Sequence, residues 1–582
     1  MAYAPLGAES GLTKRQLLER LAADLYLERT SFDAAWRELD TYFFTTRSRF
    51  FVTDRNRGDR RNQHLINGTP RFAARTLQSG MHAGLTSPSR PWFTLSAPDP
   101  ELNKYEPVKR WLHDVSGRLR DVFVRSNIYK SLPHLYGDLG VFGTAAMGIL
   151  EDEEDVLRTW GYPIGSFAVG LDERGVANTF VRDYVLTVRQ LLDQFGRTAA
   201  GSREIDWSRF SLNVKSLWDN GRAEAPITIT WIVAPNEEYR PGNPFARYMK
   251  FRSCWFEKGR EQDGDTYIRE SGFRQFPVVV PRWDVTGEDT YATGCPGMDA
   301  LGDDKGMQFL ERRKAQAIDK ALAPPLVGPS TLRTQKVSVL PSDITYDDAA
   351  ARSATQGGLR PIFEVRMEGV QAVAVEIDRH EYRVNRAFFV DLFLMLSQPD
   401  PARGAQPITA EEVRERHEEK LLALGPVLER LNDELLDPTI DRSFALLLEK
   451  GLVPPPPEEL RGAELRVEYT SILAQAQKLL GVVGQDRFLQ SVGTLAQWFP
   501  EARHKVRVFQ AVDDYRDMLG VNPNLVRSDE EAQELAAQEA QAAAAERQAA
   551  QIQQLAAGAA ALGKTPLNGG TALEAVLGRG AA

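Results

Sequence analysis

The chain has 582 residues, with 42% apolar and 26% charged side chains and a formal net charge of -9. At about 150 residues per domain this length allows three to four domains, each able to bury a core. The acidic balance argues against a generally basic nucleic-acid-gripping surface, and no apolar run reaches the ~18 residues of a membrane span. The two cysteines, Cys254 and Cys295, can build neither a disulfide framework nor a cysteine-rich zinc site, which points to a reducing compartment.

Residues 1–21 show no basic-then-apolar signal pattern. Residues 13–50 read as two helices, with Thr13 and Ser31 as N-caps and apolar faces at Leu17, Leu18, Leu21, Leu25 and then Trp36, Leu39, Phe43, Phe44. An arginine-rich stretch follows at Arg47, Arg49, Arg55, Arg57, Arg60, Arg61, Arg71 and Arg75. It reads as a solvated loop and helix face, or as a contact with acidic protein or nucleic acid. Further helices are predicted over 69–84 and 103–129. From GVFGTAAMGILED to Arg282–Trp283 the chain turns to short β-type runs broken by glycine, such as SFAVGLDERGVANTFVRDYVL, APITITWIVAP and YMKFRSCWF. That is an α+β region with antiparallel hairpins.

A helix is then expected over 298–322, stopped by Pro324–Pro325. Residues 323–375 are Pro/Gly-marked and strand-like, and a second long helix fits 375–396. After the polar break SQPDPARGAQP, Thr409 and Glu412 form a capping box at the start of a long helix ending at Pro438. Gly425–Pro426 in its middle predicts a kink, because proline removes a donor and crowds the preceding turn. The proline cluster Pro454–Pro457 is a boundary, two or three helices follow through Leu519, and an Ala/Gln/Glu tract of high helix propensity ends near Gly563. The tail beyond it is expected to be disordered.

Several motifs invite a catalytic reading. Gly558 to Thr565, GAAALGKT, fits the phosphate-binding pattern G-x-x-x-x-G-K-[ST]. That loop works only between a strand and a helix, where backbone N–H groups face the phosphates. Here a helical tract precedes it and Pro566 and Gly569–Gly570 follow, so nucleotide binding is not expected. His417-Glu418-Glu419 lacks the second histidine of a helical zinc motif, since Leu421 stands in its place. Asp303-Asp304 and Asp347-Asp348 read as acids in turn-like contexts without nearby histidines, serving solvation or capping. No catalytic, cofactor or metal constellation is found, and the chain is not expected to be an enzyme.

Four stretches, spread over most of the chain, belong together: RFAARTLQSGMHAGLTSPSRPWFTL, FPVVVPRWDVTGEDTYATGCPGMDAL, PITAEEVRERHEEKLLALGPVLERLNDELLDPTIDR and VEYTSILAQAQKL. In their order and spacing they resemble the portal (head-to-tail connector) proteins of short-tailed double-stranded DNA phages. A departure lies at YATGCPG, where the family more often has Tyr-Gly-Arg-x-Pro. The resemblance implies an α+β, mainly helical portal fold: wing 1–296 and 409–500, stem helices 297–322 and 375–396, β-rich clip 323–374, channel loop 397–408, crown 501–562, and a disordered tail 563–582. It also implies a ring, usually of twelve subunits, at one capsid vertex of a virion made in the host bacterial cytoplasm. DNA would pass through its channel without sequence specificity during packaging and ejection. The implied partners are further copies of the chain, the terminase large subunit, major capsid and scaffolding proteins, and tail adaptor or nozzle proteins, with no membrane and no cofactor. On that reading Gln398, Pro399, Asp400, Arg403 and Gln406 line the channel, and Gly425 and Pro426 kink the following helix. The alternatives are a P-loop packaging motor, which needs a strand before Gly558, and a structural scaffold that forms no ring.

Overall fold

The computed structural model describes residues 13–52, 58, 61–99, 102–103, 105–197, 204–259, 266–322, 326–327, 360–361, 366–397, 424–460 and 465–470, short pieces between 488 and 512, then 529–564, 566–567 and 570–571. It is a mainly helical α+β protein. The chain divides into two compact units, Met1–Ala474 and Gln475–Ala582.

In the first unit, α1 (Lys14–Tyr42) is one helix, not the expected two. Thr13 does cap it: its hydroxyl accepts from the Gln16 N–H, and the Gln16 side chain accepts from the Thr13 N–H at 2.9 Å. Ser31 is no cap. Its hydroxyl donates to the Glu28 carbonyl within the same helix, at 2.9 Å, an alternative open to serine wherever it sits mid-helix. Leu18, Leu21 and Leu25 pack with Ala168, Val181, Ile232 and Phe256 of a five-stranded sheet.

The helix α2 (Thr69–Leu85) closely follows its predicted span. The helix expected over 103–129 instead ends at Arg125 as α3 (Glu106–Arg125), and a new helix, α4 (Ile128–Phe142), begins. Asn127 sets the break. Its side-chain amide bonds both backbone groups of Thr159, each at 2.8 Å, a partnership that local sequence does not reveal.

The β region is antiparallel throughout. β2 (Ala146–Asp152) lies between β3 (Val156–Tyr162) and β9 (Val278–Val279). β4 (Phe167–Leu171), β5 (Ala177–Thr187), β6 (Pro226–Pro235), β7 (Phe251–Glu257) and β8 (Arg269–Phe273) pair in sequence order as a meander. β1 (Phe93–Ser96) pairs with β12 (Arg466–Tyr469), joining two stretches more than 300 residues apart in the chain.

Two helices then run together: α7 (Pro296–Leu322) and α8 (Met367–Ala387); the shorter α5 (Val188–Phe195) and α6 (Leu212–Asp219) sit beside the meander. α8 begins before the expected Val375 and stops before Leu396, because the chain breaks at Phe388–Phe389 and restarts as α9 (Val390–Ser397). Phe389 takes a left-handed backbone, φ 54°, which no sequence periodicity signals. Residues 424–431 are helical, and the helix continues beyond Pro438, correcting the predicted stop there. A π-helical turn, Asn432–Leu436, precedes α10 (Asp437–Glu449). Its cause is Pro438, which has no N–H and would crowd the Glu434 carbonyl in a regular α-helix. The wider turn, with the Asp437 N–H bonded to the Asn432 carbonyl, relieves that crowding.

In the second unit, α11 (Asp529–Lys564) is a single long helix. Of the tail beyond Gly563, expected to be disordered, Lys564 completes this helix, and the residues after Thr571 lie outside the described ones. Between them β13 (Pro566–Leu567) pairs with β14 (Gly570–Thr571).

Candidate functional site

The helix pair α7/α8 is the element that the sequence reading makes central. At its base it is clamped by the segment Ile66–Thr69. The Gln308 side chain accepts from the backbone N–H groups of Ile66 (2.8 Å) and Asn67 (3.0 Å) and donates to the Asn67 carbonyl (2.9 Å). Asn67 and Thr69 in turn donate to Glu381 of α8, at 2.8 and 3.1 Å. One short segment therefore ties both helices together.

Asp303 does not lie in a turn lacking histidines, as the sequence suggested. It sits inside α7 and meets His380 Nδ1 at 2.8 Å and Arg383 at 3.2 Å, both on α8. Asp304 points inward, fully buried. Gln308 donates to one carboxylate oxygen at 2.9 Å, while the other is buried without a partner. Burial pushes its pKa up to about 6. Above that pH the folded chain holds a poorly compensated charge. Between the ordinary carboxylate value and about 6 the folded state keeps a proton that the unfolded state has released, so stability falls as pH rises. Asp304→Asn is expected to raise stability at pH 7 by on the order of 2 kcal/mol and to flatten the stability profile between about pH 4 and 6. Denaturant melts across that range measure it.

Away from this base the pair is uncovered. From Phe309 onward no residue of α7 is fully buried, and in α8 only Ile377 and Val384 are. Phe309 (57% exposed), Leu322 (83%), Met367 (56%) and Tyr382 (64%) present apolar surface to solvent. At the far end β10 (Leu326–Val327) pairs antiparallel with β11 (Arg360–Pro361), closing the neck of the intervening insert. The rest of that insert, including Asp347-Asp348, lies outside the described residues.

Near the opposite end is a junction of three of the four stretches that carry the family resemblance. Arg282 holds Glu434, which sits on the π turn, through Nε at 3.1 Å and Nη2 at 2.5 Å, while the Arg282 backbone N–H donates to the same carboxylate at 2.8 Å. Its remaining donors reach the carbonyls of Gly175 (2.8 Å) and Asp289 (3.2 Å). Arg430 bonds Asp284, and the Tyr469 hydroxyl donates to Asp437. Phe388 packs on Phe43, with ring centres 5.3 Å apart. Phe393 of α9 lies against the open face of Gly80, where any side chain would collide with its ring.

The channel-loop candidates Gln398, Pro399, Asp400, Arg403 and Gln406 lie outside the described residues. So does His417-Glu418-Glu419. Gly425 and Pro426 are helical, but the preceding turn is not described, so the described irregularity is the π turn downstream. Arg282 and Glu434 were not singled out in the sequence. Arg282 lay within a recognised stretch, yet its partner stands 152 positions away. In the arginine-rich stretch, Arg47 is structural, paired with Asp138 at 2.9 Å.

The phosphate-binding match resolves clearly. Gly558 to Lys564 lies inside α11, so its interior N–H groups are spent on the helix ladder instead of facing a ligand. Lys564→Ala is expected to leave folding and assembly unchanged, with no nucleotide affinity to lose by equilibrium dialysis. Among the described residues no group of His, Cys, Asp and Glu could hold a metal ion, and no helix is long and apolar enough to cross a membrane.

Comparison with known proteins defines the class. The family model described as bacteriophage head to tail connecting protein matches residues 15–526. The chain is 42% identical to the portal protein of Salmonella phage epsilon15 over 563 residues, covering 97% of this chain and 98% of that protein. It is 39% identical to the "Probable portal protein" of Bordetella phage BPP-1 over 515 residues, 88% and 89% of the two chains. A chain from the virion of a native gene transfer agent particle aligns over 78% of this chain and 94% of its own, at 12% identity and a TM-score of 0.33, too loose a likeness to carry an argument. The chain belongs to the family of bacteriophage head to tail connecting proteins, a component of the phage virion.

Proposed function

We propose that the chain is the subunit of a portal ring of twelve copies at one capsid vertex, enclosing the channel through which DNA is packaged and ejected. Its role is structural, not catalytic. The observation that supports the ring most directly is the α7/α8 pair, clamped at its base and uncovered along its distal half. An apolar helix face left open in one chain is satisfied by the next, and a head-to-tail contact of this kind closes into a ring when its rotation permits. Negative-stain electron microscopy with mass photometry tests this: closed rings with a central pore are expected, and compact monomers or dimers would refute it.

Within that reading, the insert between α7 and α8 docks the terminase large subunit first and the tail adaptor later. The wing faces capsid and scaffolding proteins. The segment from Gln398 through Pro399, Asp400, Arg403 and Gln406 lines the channel. A net acidic chain suits a DNA path, because a strongly basic lining would neutralise phosphates and hold them. Arg403, repeated around the ring, makes weak and salt-screened contacts. A cysteine at position 406, in a chain lacking Cys254 and Cys295, should react freely in empty rings and slowly when DNA fills them.

A further inference from the structure

A cavity of about 440 Å³ opens between the N-terminal half of α1, the segment Arg49–Val52 and strand β5. Four cations line it, Arg29, Arg49, Arg182 and Lys258, against one carboxylate, Asp183. Two of the four are already engaged. Arg29 bonds the Gly165 and Phe167 carbonyls and pairs with Asp33 at 3.3 Å, and Lys258 pairs with Asp183. The other two are not. Arg49 has no side-chain partner among the described residues. Arg182 lies between the rings of Tyr162 and Tyr184, 4.8 and 5.2 Å from their centres, and its Nε is buried without an acceptor.

Burial and the nearby Arg49 charge both disfavour the Arg182 cation, and its pKa is lowered accordingly. The aromatic rings compensate only in part. A buried guanidinium with no carboxylate is costly, and the natural complement is a planar oxyanion taken up through the guanidinium fork. The rim is partly apolar, with Phe51 exposed, which suits an oxyanion carried on a polypeptide.

The chain carries its own complement elsewhere. The end of β2 and the turn joining it to β3 read Glu151-Asp152-Glu153-Glu154-Asp155, the longest run of acidic residues in the sequence. Asp152 and Glu151 face Arg158 (3.6 Å) and Lys450 (3.8 Å). Glu153 and Glu154 are exposed and pair with no cation among the described residues. The turn is held in a strained shape by Val156, whose φ of 72° is a left-handed backbone rarely adopted by a β-branched residue. Its own pocket is out of reach. β3 runs seven residues from the turn to Tyr162, and at about 3.4 Å per residue that is roughly 20 Å of rigid ladder.

We propose that this cavity is a carboxylate-binding pocket, filled in the assembled ring by Glu153 or Glu154 from the acidic turn of the neighbouring subunit. The inference rests on the ring reading. In a head-to-tail ring each subunit presents two different faces, so a cationic pocket and its anionic plug belong on the same chain, and opposite charges on the two faces set register and suppress wrong partners.

The test uses full-length protein. In a Cys254→Ser, Cys295→Ser background, Phe51→Cys and Glu154→Cys are combined. Mild oxidation of assembled rings is expected to give a ladder of covalent oligomers in denaturing gels, absent from either single-cysteine chain. Separately, Glu153→Arg with Glu154→Arg is expected to cut the ring fraction at least tenfold at low salt. Adding Arg49→Glu and Arg182→Glu to that chain should restore it. Because a reversed charge at Arg182 can impair folding by itself, Arg182→Met is carried in parallel, with circular dichroism as the folding control. A folded Arg182→Met chain with a reduced ring fraction supports the pocket. Normal rings from the turn-reversed chain, with no covalent ladder, would overturn the inference while leaving the ring reading intact. A wild-type chain that forms no ring overturns both. If inorganic phosphate raises the melting temperature of wild-type protein but not of Arg182→Met, and turn reversal has no effect, the pocket belongs to a free phosphate and the turn assignment is wrong.

Discussion

Arg282→Ala is expected to destabilise the first unit by about 3–5 kcal/mol, the range for breaking a buried ion pair from one side. Arg282 is only 9% exposed and engages the Glu434 carboxylate through side chain and backbone. Its removal leaves Glu434 poorly solvated and strips donors from the carbonyls of Gly175 and Asp289. The loss of those partners, more than the loss of attraction itself, makes the single change severe. Glu434→Leu alone should also be costly, because it strands the guanidinium. Arg282→Ala with Glu434→Leu should cost much less than the sum of the two single changes, since neither charge is then left behind. Urea denaturation of the four chains closes the cycle. Simple additivity would mean that the pair is not the unit holding this junction together.

That junction shows where sequence was legible and where it was not. The helix α2 was readable because its start and stop are local. Pro70 stands in its first turn, and the apolar positions Ala73, Ala74, Leu77, Met81 and Leu85 recur on one face. The β4–β5 hairpin and strands β6 and β7 were legible in the same way, from apolar runs bounded by glycine, proline and polar turns. What failed was set by partners distant in the chain. Ser31 looked like a cap because serine favours caps, but within α1 its hydroxyl bonds its own helix. The division between α3 and α4 is made by Asn127 reaching Thr159. The π turn follows from Pro438, and the Arg282 that engages its Glu434 stands 152 positions away. The family resemblance located the right stretches without revealing that β1 pairs with β12, or that the PRW and LNDELLDP segments share an ion pair. The channel-loop candidates had only their position between two helices to support them, and they stand as a proposal.

Gly297→Ala should lower stability by about 1–3 kcal/mol, the cost of forcing atoms into a packed site, and should weaken assembly as well. Gly297 sits in the first turn of α7, inside the GCPG segment where the sequence departs from the family pattern. A Cβ there would lie 2.3 Å from the Val141 carbonyl oxygen and 2.8 Å from its Cα. Those atoms belong to the backbone of α4, so they cannot swing aside as a side-chain tip would. The Cys295 thiol, which donates to the same carbonyl at 3.2 Å, fixes the approach from the other side. Two effects oppose each other. Alanine favours a helix over glycine by up to about 1 kcal/mol, but here the collision outweighs it and tilts the N-terminus of α7 off α4. Gly302→Ala separates the two effects, for Gly302 lies in the same helix with nothing near the position of its missing Cβ. That change should stabilise the chain by roughly 0.5–1 kcal/mol. Thermal melts should therefore move in opposite directions for the two variants. Because α7 carries the open apolar face, the ring fraction in mass photometry should fall with Gly297→Ala and hold with Gly302→Ala. Equal stabilisation by both would show that α7 does not depend on backbone contact with α4, and that the base of the helix pair is set by the Ile66–Thr69 clamp alone.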